Sequence, residues 1–172
     1  MKQKRTLAFV TLLFLHISSI FAYSGILFTA DHELPNSLVN KIVQTSDGMV
    51  WIATENGLSM FNGSSFRTYY HKDGNERSLA SNFVRTLCAD NQGHLLVGTT
   101  QGLQAYCRAT DDFTPVILDK RVGIKELGNV SDIFLVADNK FLVTGYYTFF
   151  LSFDKKGQPL ASSLQSMLWK SR

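Results

Sequence analysis

Residues able to do chemistry are few in this chain and do not converge. Its four histidines are His16, His32, His71 and His94. His16 lies in an apolar run near the start, while His71 and His94 stand in or beside expected loops, where a solvated ring is the ordinary state. Cys88 and Cys107 have no histidine or second cysteine at ligand spacing. A protein metal site needs three or four converging donors, so neither metal nor cofactor is expected. His32-Glu33-Leu34-Pro35 carries the letters of a phosphoryl-accepting histidine motif. Such a histidine works from a long helix of a dimeric bundle, and here it falls between a strand and a turn, so the match reads as coincidence. Asp111 and Asp112 could pair for acid–base work, but neighbours on a strand point to opposite faces. With no nucleophile–base pair and no phosphate loop, no catalytic residue is expected.

Binding residues are more plausible than catalytic ones. Trp51, Phe61, Phe66 and Tyr106 could stack on sugar rings. Trp51, however, recurs in register within a middle strand of a repeat, which marks a packed position. The segment from Tyr69 to Arg77 is the better surface candidate, because loops on a rigid scaffold tend to carry function. Within it Tyr69, Tyr70, His71 and Arg77 are the weak ligand-binding candidates, to be weighed against a plain solvated connector.

The elements that would position these residues follow from an internal repeat. Leu34 to Phe61 aligns without a gap on Leu79 to Tyr106, at an offset of 45 residues. Gly48, Trp51, Thr54, Gly57 and Leu58 fall on Gly93, Leu96, Thr99, Gly102 and Leu103. In the first copy strands are expected over Val39 to Thr45, Met49 to Thr54, Leu58 to Phe61 and Phe66 to Tyr70. Asp47-Gly48 reads as a two-residue hairpin turn, since such turns need positive φ. The second copy places strands over Phe83 to Ala89, His94 to Thr99, Leu103 to Tyr106 and Phe113 to Leu118. A degenerate third copy offers Val130 to Ala137, Phe141 to Gly145 and Phe149 to Phe153, with Asp138-Asn139 as a turn. Four short antiparallel strands per 40 to 45 residues is the pattern of a propeller blade. The expected fold is therefore all-β: a partial β-propeller of about three four-stranded antiparallel blades, preceded by a signal peptide.

The expected organisation is a signal peptide over 1–22, an N-terminal strand over 25–33, blade repeats over 34–78 and 79–120, a degenerate third over 121–160, and an irregular tail over 161–172. The N-terminal strand, centred on Gly25 to Thr29, could close a ring by pairing with a blade that this chain does not contain. Lys2, Lys4 and Arg5 precede an apolar run of about 16 residues, short of the roughly 20 that a spanning helix needs. Small residues follow it, so export is expected, with cleavage after Ala22 or after Ser24. Membrane association would require an uncleaved signal or a later spanning segment. Beyond Ala22 the chain carries 14 acidic and 14 basic residues, and no basic patch points to nucleic acid. Cys88 and Cys107 fall on strands separated by a third. Two strand spacings are roughly 9.6 Å, beyond the roughly 7 Å limit for a disulfide, so both thiols are expected to be free.

The run Asp47-Gly48-Met49-Val50-Trp51-Ile52-Ala53-Thr54-Glu55-Asn56-Gly57-Leu58 resembles the two-component regulator propeller repeat, whose core is D-G-x-[LIV]-W-[IV]-G-T-x-x-G-[LIV]. Leu34 to Val39 resembles the start of the same repeat. Ala53 replaces the usual glycine, and Leu96 the usual tryptophan of the second copy. The resemblance implies the periplasmic sensor of a hybrid two-component system for polysaccharide use, with a glycan or oligosaccharide as ligand. It also implies further propeller blades downstream, then a kinase and DNA-binding region, and a homodimer in the full-length context. About three blades cannot close a ring, since propellers typically need at least four, which reads as a fragment or truncated gene product. The competing readings are a secreted propeller enzyme of the lyase type and a truncated product without independent activity.

Overall fold

The computed structural model describes residues 25, 27–29, 33–117 and 127–161. The expected signal peptide, His32 and residues 162–172 of the tail lie outside the described residues. Three four-stranded antiparallel sheets follow one another along the chain. The first contains β1 (Val39–Gln44), β2 (Val50–Thr54), β3 (Gly57–Phe61) and β4 (Phe66–Tyr69). The second contains β5 (Val84–Ala89), β6 (Leu95–Thr99), β7 (Gly102–Cys107) and β8 (Asp112–Pro115). The third contains β9 (Val130–Ala137), β10 (Lys140–Gly145), β11 (Phe149–Phe153) and β12 (Pro159–Ala161). Each sheet meanders in chain order, and β5 lies between β1 and β9. The first strands thus form the inner row, and the fourth strands form the outer rim.

Alternation of side chains explains why middle strands read as continuous apolar runs. Successive residues of a strand point to opposite faces, and a middle blade is covered on both. Leu95 and Val97 of β6 join Trp51, Leu58, Leu79 and Phe113 in the core shared with blade 1. Leu96 joins Val130, Ile133, Phe141 and Leu151 in the core shared with blade 3. All five residues of β6 are buried for this reason. Trp51 and Leu96, one repeat apart, each point toward the following blade. Full burial of such an apolar side chain contributes about 1.5–3 kcal/mol.

The inner strands share an irregularity that the repeat encodes. Register shifts fall between Val39 and Lys41, between Val84 and Thr86, and between Val130 and Asp132. Asn40, the extra residue of the first bulge, donates its side-chain amide to Val84 O at 2.8 Å and so fastens blade 1 to blade 2. The bulges bring Lys41, Thr86 and Asp132 to matching positions. The Thr86 hydroxyl donates to Asp132 Oδ1 at 2.7 Å, and Lys41 Nζ lies 3.4 Å from the same oxygen. One carboxylate therefore ties all three inner strands. Opposite Thr86, Gly98 leaves no room for a side chain, because a Cβ there would lie 2.7 Å from both Thr86 Cγ2 and Val130 Cγ1.

Several expectations need correction. The loop at Asp47-Gly48 is a three-residue connection closed by Thr45 and Met49, with the Gly48 amide donating to Thr45 O at 2.8 Å. Only its glycine takes positive φ (86°), which is the type I turn with a glycine bulge rather than the two-residue turn. The fourth strand of the second repeat is Asp112–Pro115 rather than Phe113 to Leu118; the Val116 amide adds one last bond to Leu103 O at 2.9 Å, in register with the pairing of Gln104 and Pro115. A strand at Pro159–Ala161, missed in the sequence, completes the third sheet. Proline is admitted there because it opens an edge strand. Pairing of Gly25 to Thr29 with a blade outside this chain is a different matter and stays a proposal: its described residues pair with no described strand of this chain, and Phe28 packs on Phe61 and Phe66, with centroids 5.3 and 4.9 Å apart.

Candidate functional site

The sequence candidates meet where the chain leaves β4 and crosses to β5. Its first residues, Tyr69 and Tyr70, stand at the rim of blade 1, and Arg77 lies against the rim of blade 2. The crossing segment sinks Leu79 into the core shared by blades 1 and 2, and polar contacts hold the rest of it. Ser78 Oγ accepts from the Lys72 amide at 2.9 Å and lies 2.7 Å from Asn75 O, to which it donates. Gln104, buried in β7, donates to Ser78 O at 2.8 Å and accepts from the Ala80 amide at 2.7 Å. The Phe113 amide donates to Arg77 O at 3.0 Å. A sequence reading of Gln104 as one more polar strand residue could not see that its partners lie in the preceding connector.

Beneath Tyr69 a carboxylate gathers donors from both blades. Asp111 Oδ1 accepts from the Tyr69 hydroxyl at 2.6 Å and from the Tyr106 hydroxyl at 2.8 Å. Its Oδ2 pairs with the guanidinium of Arg67, which also lies 5.5 Å from the Tyr69 ring centre. Asp112 pairs with Arg77 at 3.1 Å and accepts from the Thr110 hydroxyl at 2.6 Å. The alternation argument for these two acids fails because Asp111 sits in the turn before β8, with φ of 54°. Both carboxylates reach the same cleft, each engaged by a different arginine. Burial, followed by the bond to Asp111, drives the Tyr69 phenol far above its ordinary pKa, and the same causes raise Tyr106.

The cleft encloses about 450 Å³ between β4, β8 and the connector, lined by Arg67, Tyr69, Tyr70, Arg77, Asp111 and Asp112 among others. His71 does not join it. Its ring lines a second depression of about 790 Å³ on the other side of the connector, with Gln101 and Gln104. His71 Nδ1 donates to Leu79 O at 2.6 Å, and Nε2 lies 3.1 Å from Asp73. The Leu79 bond, with Asp73 behind it, raises the imidazole pKa above 6.5 against a smaller opposing effect of desolvation. This ring therefore shapes the loop. Trp51 is 1% exposed and stacks against Tyr69 at 5.8 Å, so it is core, as its repeat position implied.

Other repeat positions are structural as well. The Thr54 hydroxyl donates to Gly57 O at 2.8 Å and accepts from the Asn56 amide at 3.2 Å. Thr99 does the same with Gly102 O and the Gln101 amide, both at 3.1 Å. Gly57 and Gly102 take φ of 125° and 150° at the ends of these turns. Cys88 and Cys107 are free thiols on β5 and β7, with β6 between them. His94 is not the solvated ring expected: it stacks on Phe153 of blade 3 at 4.0 Å and binds buried Asp90 at 2.7 Å. Nothing near His94 in the sequence points to a partner 59 residues away. Among the described residues, no group of three or more potential ligands could hold a metal ion, and no helix is long and apolar enough to cross a membrane.

Meandering four-stranded sheets, packed face to face along a shared inner row, define a propeller-type architecture. Residues 33–56 and 78–101 match the family model described as two component regulator propeller. Their offset is the same 45 residues that relates the first two sheets, and the matched segments span β1 and β2 of the first sheet and β5 and β6 of the second. Among solved structures, the extracellular domain of the hybrid two component system BT3049 from B. thetaiotaomicron aligns at 26% identity with a TM-score of 0.62. The alignment covers 78% of this chain and 19% of that one, so this chain spans about a fifth of the BT3049 domain. The extracellular domain of the one component system BT4673 from the same organism aligns at 22% identity, with a TM-score of 0.38, over 74% of this chain and 23% of that one. No curated protein matches the chain.

Proposed function

We propose that this chain is a ligand-sensing portion of an exported, periplasmic two-component receptor whose ligands are fragments of polysaccharide. The observation that carries the proposal is the pair of regulator repeats, folded as blades that align on the extracellular domain of a hybrid two component system. The geometry of the rim agrees with a binding role. Arg67, Arg77 and Tyr69 are held by Asp111 and Asp112, whose carboxylates are occupied in holding them. Further blades would join the open faces of blades 1 and 3, and the complete receptor would act as a homodimer. Ligand binding would then shift the receptor between two arrangements, by no more than the difference in affinity for them.

The test is calorimetry and thermal melting of the chain from residue 23 onward with a panel of plant and host oligosaccharides. Saturable binding, with melting raised as ligand exceeds Kd, is the expected result. No response to any saccharide would refute the ligand class. Turnover of a saccharide that disappears on replacing one acidic residue or histidine would refute the sensing role. Cell fractionation tests export separately, since a cytoplasmic product contradicts the proposed compartment.

A further inference from the structure

The rim cleft between blades 1 and 2 carries positive groups that the fold does not consume. Arg67 is fixed by Asp111 and by the Tyr69 ring, yet its side chain remains 61% exposed. Arg77 is anchored through its backbone to Phe113 and to the Asn75 side chain, and it pairs with Asp112 through one terminal nitrogen. Its side chain is 60% exposed. A guanidinium has five N–H donors in a planar fork, so each arginine, lining the cleft, keeps donors beyond those its aspartate takes. Lys72 lines the same cavity and makes no ion pair among the described residues. The two aspartates cancel two of these three charges and leave one positive charge in excess.

The aspartates do not disqualify the cleft as an anion site. Asp111 spends one oxygen on two phenols and the other on Arg67, while Asp112 is held by Thr110 and Arg77. Their role is to orient the arginines, which lowers the entropy lost when a ligand is gripped. Planar bidentate pairing favours a carboxylate. Beside the arginines, Tyr70 packs its ring edge close to Gly57 and is 42% exposed as a residue, and its remaining aromatic surface offers an apolar face to a pyranose.

We infer that this cleft binds the carboxylate of a uronic-acid-bearing saccharide, with Arg67 and Arg77 as the gripping pair, Lys72 supplying field and Tyr70 the sugar platform. The assignment rests on the saccharide reading above and adds the acidic sugar class and the subsite. The chain would be titrated at low salt with a galacturonic acid trisaccharide, a neutral galactose trisaccharide, a sulfated disaccharide and inorganic sulfate. The uronate is expected to bind at least about tenfold more tightly than the neutral sugar. Arg67→Gln and Arg77→Gln should each weaken it about tenfold or more, while Arg77→Lys recovers only part. Lys72→Gln, at a side chain with no ion pair among the described residues, should reduce the salt dependence of binding, and it decides the matter should the arginine variants melt without cooperativity.

Equal binding of neutral and acidic sugars, unaffected by Lys72 and the arginines, would overturn the subsite and leave saccharide sensing standing. Preference for the sulfated sugar would overturn the carboxylate assignment. Arginine-dependent binding of inorganic sulfate, with no saccharide bound, would overturn both the uronate and the saccharide reading. Silence toward every probe would also overturn both.

Discussion

The threonines of the repeat show how one hydroxyl secures a turn. Thr99 donates to Gly102 O and accepts from the Gln101 amide in a fully buried position. Thr99→Val preserves shape but leaves both backbone groups without that partner, so a loss of about 1–3 kcal/mol is expected. A urea midpoint unchanged from the parent chain, at unchanged slope, would show that the hydroxyl contributes nothing. Gly98 makes the opposite kind of demand. An added methyl would press on Thr86 and Val130 at 2.7 Å, so Gly98→Ala is expected to cost about 1–3 kcal/mol by overpacking. Denaturation would reveal this as a lowered midpoint, and a neutral or stabilising result would mean that the inner strands yield. Ala53 holds the matching position of blade 1, so the letter alone did not announce how tight Gly98 is.

Among the elements, the connector from Tyr70 to Phe83 is the one whose order depends most on borrowed contacts. It lacks a core of its own and is fastened by Gln104 of β7, which is 2% exposed. Gln104→Met keeps the approximate volume but strands the Ala80 amide and the Ser78 carbonyl. A loss of about 2 kcal/mol or more is expected, together with faster hydrogen exchange at Ala80. Unchanged exchange there would mean that other contacts hold the connector. Because Arg77 is carried on this segment, the variant should also weaken whatever the rim cleft binds. The strands themselves were largely legible from period and turn residues. The connector was not, because its hydrogen bonds run to residues as far along the chain as Gln104 and Phe113.

Across the whole molecule, Asp132 is the shared link of the inner row. Burial alone would raise its pKa, but the Thr86 hydroxyl, the Ile133 amide and the Lys41 ammonium outweigh burial and hold it below 3.8. A carboxyl whose folded pKa is depressed contributes stability above its unfolded pKa and loses it as pH falls through the folded value. Stability is therefore expected to drop in acid, below about pH 4, with contacts among all three blades weakened together. Asp132→Asn should flatten part of that acid limb and leave the portion due to Asp47, whose pKa is also lowered. Urea midpoints from about pH 2 to 6 would show the difference between the two chains. Parallel curves would mean that Asp132 is not the link proposed.

Local chemistry in the sequence was enough to determine the blades. Gly48 and Gly93 punctuate the chain, Thr54 and Thr99 close turns on themselves, and the apolar runs around Trp51 and Leu96 can be buried only on two faces. These features act over a few residues and recur at a fixed offset, so they can be read without coordinates. Tertiary structure alone decided which repeats touch through which side chains. It placed Asp111 under Tyr69 and Tyr106, His94 on Phe153, Asp132 against Thr86 and Lys41, and Gln104 under the connector. Each pairing depends on the packing of one sheet on the next and on the inner-strand bulges that set its register. The rim cleft belongs to that second group, because its two arginines are ten residues apart in the chain and are brought to one opening only when blade 1 meets blade 2.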